Sequence, residues 1–361
     1  MQLPSTLAWL VDAAGTVPSA DRLLAELGAN LIEDGVALAG GALTLDVPHP
    51  IIARRTFLWR AATGEVIEAL GFAPAGLPLP APSGDAGRAW LGGLAAGTVR
   101  EDNAGRGPNA PVLAWIGPRP FTPTEAGLLE ETARFAAPPL STLATRATLS
   151  AALEAYLGRR SAGRVLSGPL RRNIGETIRA ALLYADLRGF TALSEASPAA
   201  LVISALDAWF DRIAGAVHAF GGEVLKFIGD GVLAIFPVLG DTSRSACEAA
   251  LRAVTAAEAG MAHLNSTRRE QSLPPLAFGA ALHVGEIFWG NIGAADRLDF
   301  TAIGPAVNLV SRLEGLCRPL GRSVLISGAV AAEVGTPLAA LGEHELRGIT
   351  SPCAIFTLPE K

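Results

Sequence analysis

Residues 181–236 read ALLYADLRGFTALSEASPAALVISALDAWFDRIAGAVHAFGGEVLKFIGDGVLAIF. Two apolar, strand-like runs each deliver one carboxylate: Asp186 closes the first, and Asp230 sits in a Gly-Asp-Gly turn inside the second. Between them Ser197-Pro198 reads as the N-cap and first residue of a helix. Val202, Leu206, Trp209, Ile213, Val217 and Phe220 then recur at helical spacing, while Asp207, Asp211 and Arg212 face elsewhere. Gly221-Gly222 ends that helix, and the runs 223–228 and 232–237, joined at Gly229-Asp230-Gly231, form a hairpin. Paired acids on strand ends, beside glycines that let phosphate approach the backbone, are what a two-metal phosphoryl-transfer site requires.

Downstream, Asp241 to Arg269 is a long Ala-rich helix, Leu276 to Phe288 a strand, and Gly304-Pro305 opens a helix reading AVNLVSRLEGL. Ser323 to Ile326 is a last core strand, and upstream Thr177 to Ala185 is a buried strand ending at Asp186. Asn308 and Arg312, four apart, share one face of their helix, with Val307, Val310 and Leu313 beside them to anchor it.

The 361 residues suggest about two domains of roughly 150 residues. Mean hydropathy is +0.36, yet no apolar run reaches the ~18 residues of a membrane span, and the N-terminus lacks a basic leader. The expectation is a soluble, cytoplasmic protein with no membrane partner. A net charge of −5 opposes a nucleic-acid binder but leaves room for a nucleotide, which needs only local cations. Three cysteines without CxxC spacing fit reduced, structural thiols.

In the N-terminal part, Ser19 to Glu33 has helical leucine spacing, and Ala42–Val47, Thr56–Arg60, Val66–Leu70 and Ala110–Ile116 are strand candidates. Phe72 to Gly84 is a Pro- and Gly-rich break, and His49, between two prolines, is a turn residue. Thr122, Pro123 and Glu125 make a capping box for a helix expected to end before Pro138-Pro139. A second helix, Ala147 to Leu157, leads into a basic, Gly-containing stretch placed to transmit a signal. The order loosely resembles a GAF- or PAS-like sensor; a plain dimerisation scaffold is the alternative.

The stretches YADLRGFTALSE, GGEVLKFIGDGVLAIF, ALHVGEIFWGNIG, LDFTAIGPAVNLVSRLE and HELRGITSP are similar, in order and spacing, to the successive signatures of class III nucleotidyl cyclases. The resemblance implies an α+β fold: a ferredoxin-like βαββαβ catalytic domain preceded by a small α/β GAF-like domain. The implied boundaries are a sensor or dimerisation domain at 1–137, a helical linker at 138–176 and the catalytic domain at 177–361. Carried over residue by residue, it puts the metal-binding aspartates at Asp186 and Asp230, the purine-reading positions at Lys226 and Thr301, and the ribose-orienting and transition-state pair at Asn308 and Arg312. It implies two Mg²⁺, with Mn²⁺ also supporting activity, and a homodimer whose sites draw metal ligands from one protomer and the rest from the other. One departure is Pro305, where many relatives carry Asp; proline suits a helix's first turn.

A Lys226 ammonium only donates, matching the adenine N1 acceptor and clashing with guanine N1–H. The Thr301 hydroxyl serves either base. The sequence therefore reads as an adenylate cyclase making 3′,5′-cyclic AMP and pyrophosphate from ATP, its N-terminal module open to a small-molecule or redox signal. A guanylate or mixed cyclase and a non-catalytic nucleotide-binding dimer are the alternatives. A diguanylate cyclase is excluded, since Val224 and Leu225 break the GG[DE]EF pattern begun by Gly221-Gly222-Glu223.

Overall fold

The computed structural model describes residues 3–46, 52–72, 85–107 and 110–359. His49 and the stretch 73–84 lie outside the described residues. The chain divides into two units, Met1–Tyr156 and Leu157–Lys361.

The first unit runs α1 (Ser5–Asp12), α2 (Ala20–Glu33), β1 (Gly40–Asp46), β2 (Ile52–Arg60), β3 (Val66–Phe72), α3 (Asp85–Gly92), β4 (Arg100–Asn103), β5 (Val112–Ile116) and α4 (Pro123–Leu157). Its strands form one antiparallel sheet in the order β3-β2-β1-β5-β4. Leu23, Leu24, Leu27 and Leu31 of α2 and Leu129, Ala133, Ala136 and Leu140 of α4 pack with sheet residues such as Leu43 and Trp115 in one core.

Helix α4 corrects the reading of Pro138-Pro139 as a terminator: one helix passes through both prolines and takes in residues 147–157. An interior proline costs about 3 kcal/mol through a lost donor and a clash. Here Leu129, Thr132, Ala133, Ala136, Pro139, Leu140 and Leu143 are all buried, so packing on both sides of the prolines outweighs the local penalty. The capping box is present: the Glu125 N–H donates to Thr122 Oγ1 at 3.3 Å and the Thr122 N–H to Glu125 Oε2 at 2.7 Å.

The second unit runs α5 (Arg159–Ser167), β6 (Gly175–Arg188), α6 (Phe190–Ala196), α7 (Ala199–Ala219), β7 (Glu223–Ile228), β8 (Gly231–Pro237), α8 (Arg244–Glu270), β9 (Ala277–Gly293), β10 (Leu298–Ile303), α9 (Pro305–Glu314), β11 (Val324–Ser327), α10 (Gly328–Ala331), β12 (Ala339–His344) and β13 (Cys353–Thr357). The four strands β9-β6-β8-β7 are adjacent and antiparallel, so β6-α7-β7-β8-α8-β9 traces a βαββαβ path. Strand β11 adds in parallel to β9, and β10 pairs with the second half of β9.

Period-two alternation along β6 divides the packing. Ala181, Leu183 and Ala185 join Trp209, Ile213 and Val217 of α7 and Leu251 and Val254 of α8. Ala180, Leu182 and Tyr184 face the other way, into a cluster with Val310 and Leu313 of α9 and Val165 of α5. Asp186 continues this second series. Two readings shift: β6 extends to Arg188, leaving Asp186 inside the strand, and Pro198 precedes the first residue of α7, so Ser197 is not its cap. Cys247 and Cys317 are buried free thiols, pushed up to about 12 and about 11 by burial. Among the described residues no helix is long and apolar enough to cross a membrane.

Candidate active site

The β7–β8 hairpin sets the first carboxylate. Ile228 pairs with Gly231, leaving Gly229-Asp230 as a two-residue turn. Gly229 has φ +63 at the first central position, a conformation that favours glycine. The indole N–H of fully buried Trp209 donates to the Asp230 carbonyl at 2.9 Å, pinning the turn to α7. At Gly231 an added Cβ would stand 2.9 Å from Tyr184 Oη, so a larger residue would push the tyrosine aside.

Asp186 approaches Asp230 from the adjacent part of the sheet. Burial, then a hydrogen bond to Asp230 and its charge, then the charge of Glu314, hold the Asp186 carboxyl well above the usual carboxylate range. Its Oδ1 is buried with no hydrogen-bond partner. Glu314, at the end of α9, lies over Gly279, the residue opposite Asp186 in the β6–β9 register. A Cβ at Gly279 would collide with Glu314 Oε1. Burial raises the Glu314 pKa, the Arg188 charge opposes that rise, and Asp230 adds to it.

Facing carboxylates with an orphaned buried oxygen are the chemistry of a divalent-cation site, and Asp186 and Asp230 fit one. Among the described residues no three His, Cys, Asp or Glu side chains converge as a metal group, so phosphate or water oxygens are needed to complete a hard cation's shell.

The other predicted residues are placed differently. Asn308 and Arg312 lie on α9, both exposed, and neither makes a side-chain hydrogen bond or ion pair among the described residues. Val310 and Leu313 are fully buried and anchor the helix. Glu314 is two residues beyond Arg312, about 200° around the helix at 3.6 residues per turn. The acid corner therefore lies on the side of α9 away from Arg312. Thr301 is buried in β10, opposite Gly290 of β9. Lys226, beside a register shift in β7, forms an ion pair with Asp299. Asp299 and Thr301, two apart on one strand, share a face, so the ion pair draws the ammonium to the Thr301 face of β10.

Asp299, Glu314 and the Trp209 anchor were not singled out in the sequence. Strand alternation could have marked Asp299; Glu314 and Trp209 read only as helix positions.

Residues 174–356, just over half of the chain, match the adenylate and guanylate cyclase catalytic domain. The chain belongs to that family. It is 36% identical to adenylate cyclase 1 of Rhizobium meliloti (strain 1021) over 42% of this chain and 23% of the relative. It is 32% identical to an adenylate cyclase of Anabaena cylindrica over 45% of this chain and 32% of the relative. The chain thus spans about a quarter to a third of the length of these curated relatives. A bacterial light-regulated adenylyl cyclase shares the fold, with TM-score 0.54 and 20% identity over 72% of this chain and 84% of that one.

Proposed function

We propose that the chain is an adenylate cyclase, converting ATP to 3′,5′-cyclic AMP and pyrophosphate by in-line attack of the ribose 3′-hydroxyl on the α-phosphorus. The observation that carries the proposal is the Asp186–Asp230 pair with its orphaned oxygen, inside a domain of the cyclase family. Asp186 and Asp230 would hold divalent cations, two Mg²⁺ or Mn²⁺, which would lower the hydroxyl pKa and neutralise charge on the phosphates. Asn308 orients the ribose, and the planar donors of Arg312 bind phosphate oxygens as charge builds in the transition state. Lys226 donates to adenine N1, and the Thr301 hydroxyl accepts from the adenine amino group. That donor-only ammonium favours ATP over GTP.

The opposed faces of α9 support a homodimer. Arg312 points away from its own chain's aspartates, so a second copy is needed to bring the two sets together. The first unit is read as the sensor or dimerisation module, GAF-like over 1–137, with 138–176 as the transmitting linker and 177–361 as the catalytic domain.

The test is turnover by the purified full chain with ATP or GTP, in Mg²⁺ or Mn²⁺, beside Asp230→Ala. Cyclic AMP from the wild type and none from the variant supports the reading. Dominant cyclic GMP overturns the base assignment. No product under any condition overturns catalysis and leaves a nucleotide-binding dimer.

A further inference from the structure

Glu223, 4% exposed, is the most deeply buried charged side chain among the described residues, and no role above uses it. It opens β7, three residues before Lys226, and among the described residues has no cationic partner. Its carboxylate instead accepts the backbone N–H of Arg160 at 3.1 Å and of Ser161 at 2.9 Å, and the Ser161 hydroxyl at 2.6 Å. All three donors belong to the first turn of α5. The cap residue of that helix, Gly158, offers no side chain, and with φ +82 it leaves room for the acid. Glu223 thus caps the helix from 62 residues away. It meets orphan amides at the positive end of the helix dipole, where a carboxylate is favoured. A buried carboxylate stripped of such donors is strongly destabilised, which locks β7 to α5.

The same helix is fixed at its other end to a different part of the sheet. Arg164 Nη2 donates to Glu176 Oε1 at 2.6 Å, and its guanidinium stacks on Trp289 at 4.6 Å. Trp289 pairs with Ala302 in the β9–β10 ladder, next to the Gly290–Thr301 pair. In hydrogen-bonding order β7 is the edge strand, with three strands between it and β10, and the two meet directly through side chains such as the Lys226–Asp299 pair. Helix α5 therefore links the strand bearing Lys226 to the ladder bearing Thr301 by a route besides the Lys226–Asp299 pair.

We propose that Glu223 is a positioning residue for base selection: through α5 it sets the separation of Lys226 and Thr301. The proposal rests on the reading of those two residues as the purine contacts. The chain enters the second unit at Leu157, two residues before the helix that Glu223 caps.

The test uses the full chain as Glu223→Ala, Glu223→Gln and Ser161→Ala, each read by kcat and KM for ATP and GTP and by hydrogen exchange at 159–163 and 224–228. Glu223→Ala is expected to cut the ATP-over-GTP ratio of kcat/KM about tenfold, equivalent to ~1.4 kcal/mol, mainly through KM for ATP. Exchange should speed in both segments. Glu223→Gln keeps an acceptor oxygen and should recover most of the ratio; Ser161→Ala, keeping both amide bonds, should lower it about twofold. A folded Glu223→Ala whose ratio is unchanged, with faster exchange confined to 159–163, overturns the proposal and leaves a helix cap. If the alanine variant does not fold, the glutamine and serine variants decide by the same two readouts. Should the wild type make no cyclic nucleotide, the catalytic reading fails separately, and unchanged exchange at 224–228 in the variants still overturns the α5 link.

Discussion

The two sides of α9 are built by opposite rules. Toward the core, Glu314 adjoins Asp186 and Asp230, and burial together with the Asp230 charge raises the proton affinity of Asp186 and Glu314 in a partly buried corner. Toward solvent, Asn308 and Arg312 stand exposed, with no intrachain partner among the described residues. The inward side carries surplus negative charge that a cation relieves; the outward side carries donors with nothing to donate to. Each half is complementary to something the chain alone does not contain. That contrast is the physical argument for the proposed site, completed by metal, triphosphate and a second protomer.

The most severe test of this contrast removes one half at a time. Asp230→Ala and Arg312→Ala should each bring cyclic AMP formation close to background, the arginine by about 10²–10³ in kcat. Co-expressed, the two inactive variants should recover about a quarter of wild-type activity, because about half of randomly paired dimers hold one intact site. No recovery on mixing, with dimers verified by sedimentation, would refute shared sites.

A smaller effect is expected where the Lys226–Asp299 pair steers the ammonium. Asp299→Ala should raise KM for ATP roughly tenfold while changing kcat little, the signature of lost binding shared by ground and transition states. Steady-state kinetics with both triphosphates checks it. Next comes the anchor of the acid corner. Trp209→Phe keeps the ring packing but deletes the donor to the Asp230 carbonyl, and should cost about 1 kcal/mol in urea denaturation with a few-fold weaker Mn²⁺ binding by calorimetry.

The last test probes stability away from both halves. His283 is pushed down to about 4, first by burial and then by the Arg179 charge. It shares a hydrogen bond with Ser327 at 2.9 Å. Its folded pKa lies below the unfolded value near 6.5, so the unfolded chain takes up the proton first. Stability should be full above about pH 6.5 and decline as pH falls toward 4. Urea midpoints at pH 5 and 7 should differ for the wild type by more than for His283→Gln.

Much of the second unit was legible in residue order. The hairpin declared itself because a Gly-Asp-Gly turn between β-branched runs has few other solutions. Helix α9 did so because Val310 and Leu313 recur at helical spacing after Gly304-Pro305. The first unit was less legible. Local rules stopped a helix at Pro138-Pro139, whereas buried contacts carried α4 through, and α1, α3 and β4 lacked periodicity strong enough to announce them.

The sequence by itself determined which chemical groups are available: two acids on strand and turn, a lysine, a threonine, and an amide and a guanidinium on one helix face. Those follow from identity and local period. Only the tertiary structure decided what those groups meet. Glu314 reaches Asp186 because Gly279 leaves space for it, Asp299 holds Lys226 across non-neighbouring strands, and Glu223 caps a helix far behind it in the chain. Contacts of that kind depend on how sheets and helices close on one another, and no local pattern of residues encodes them.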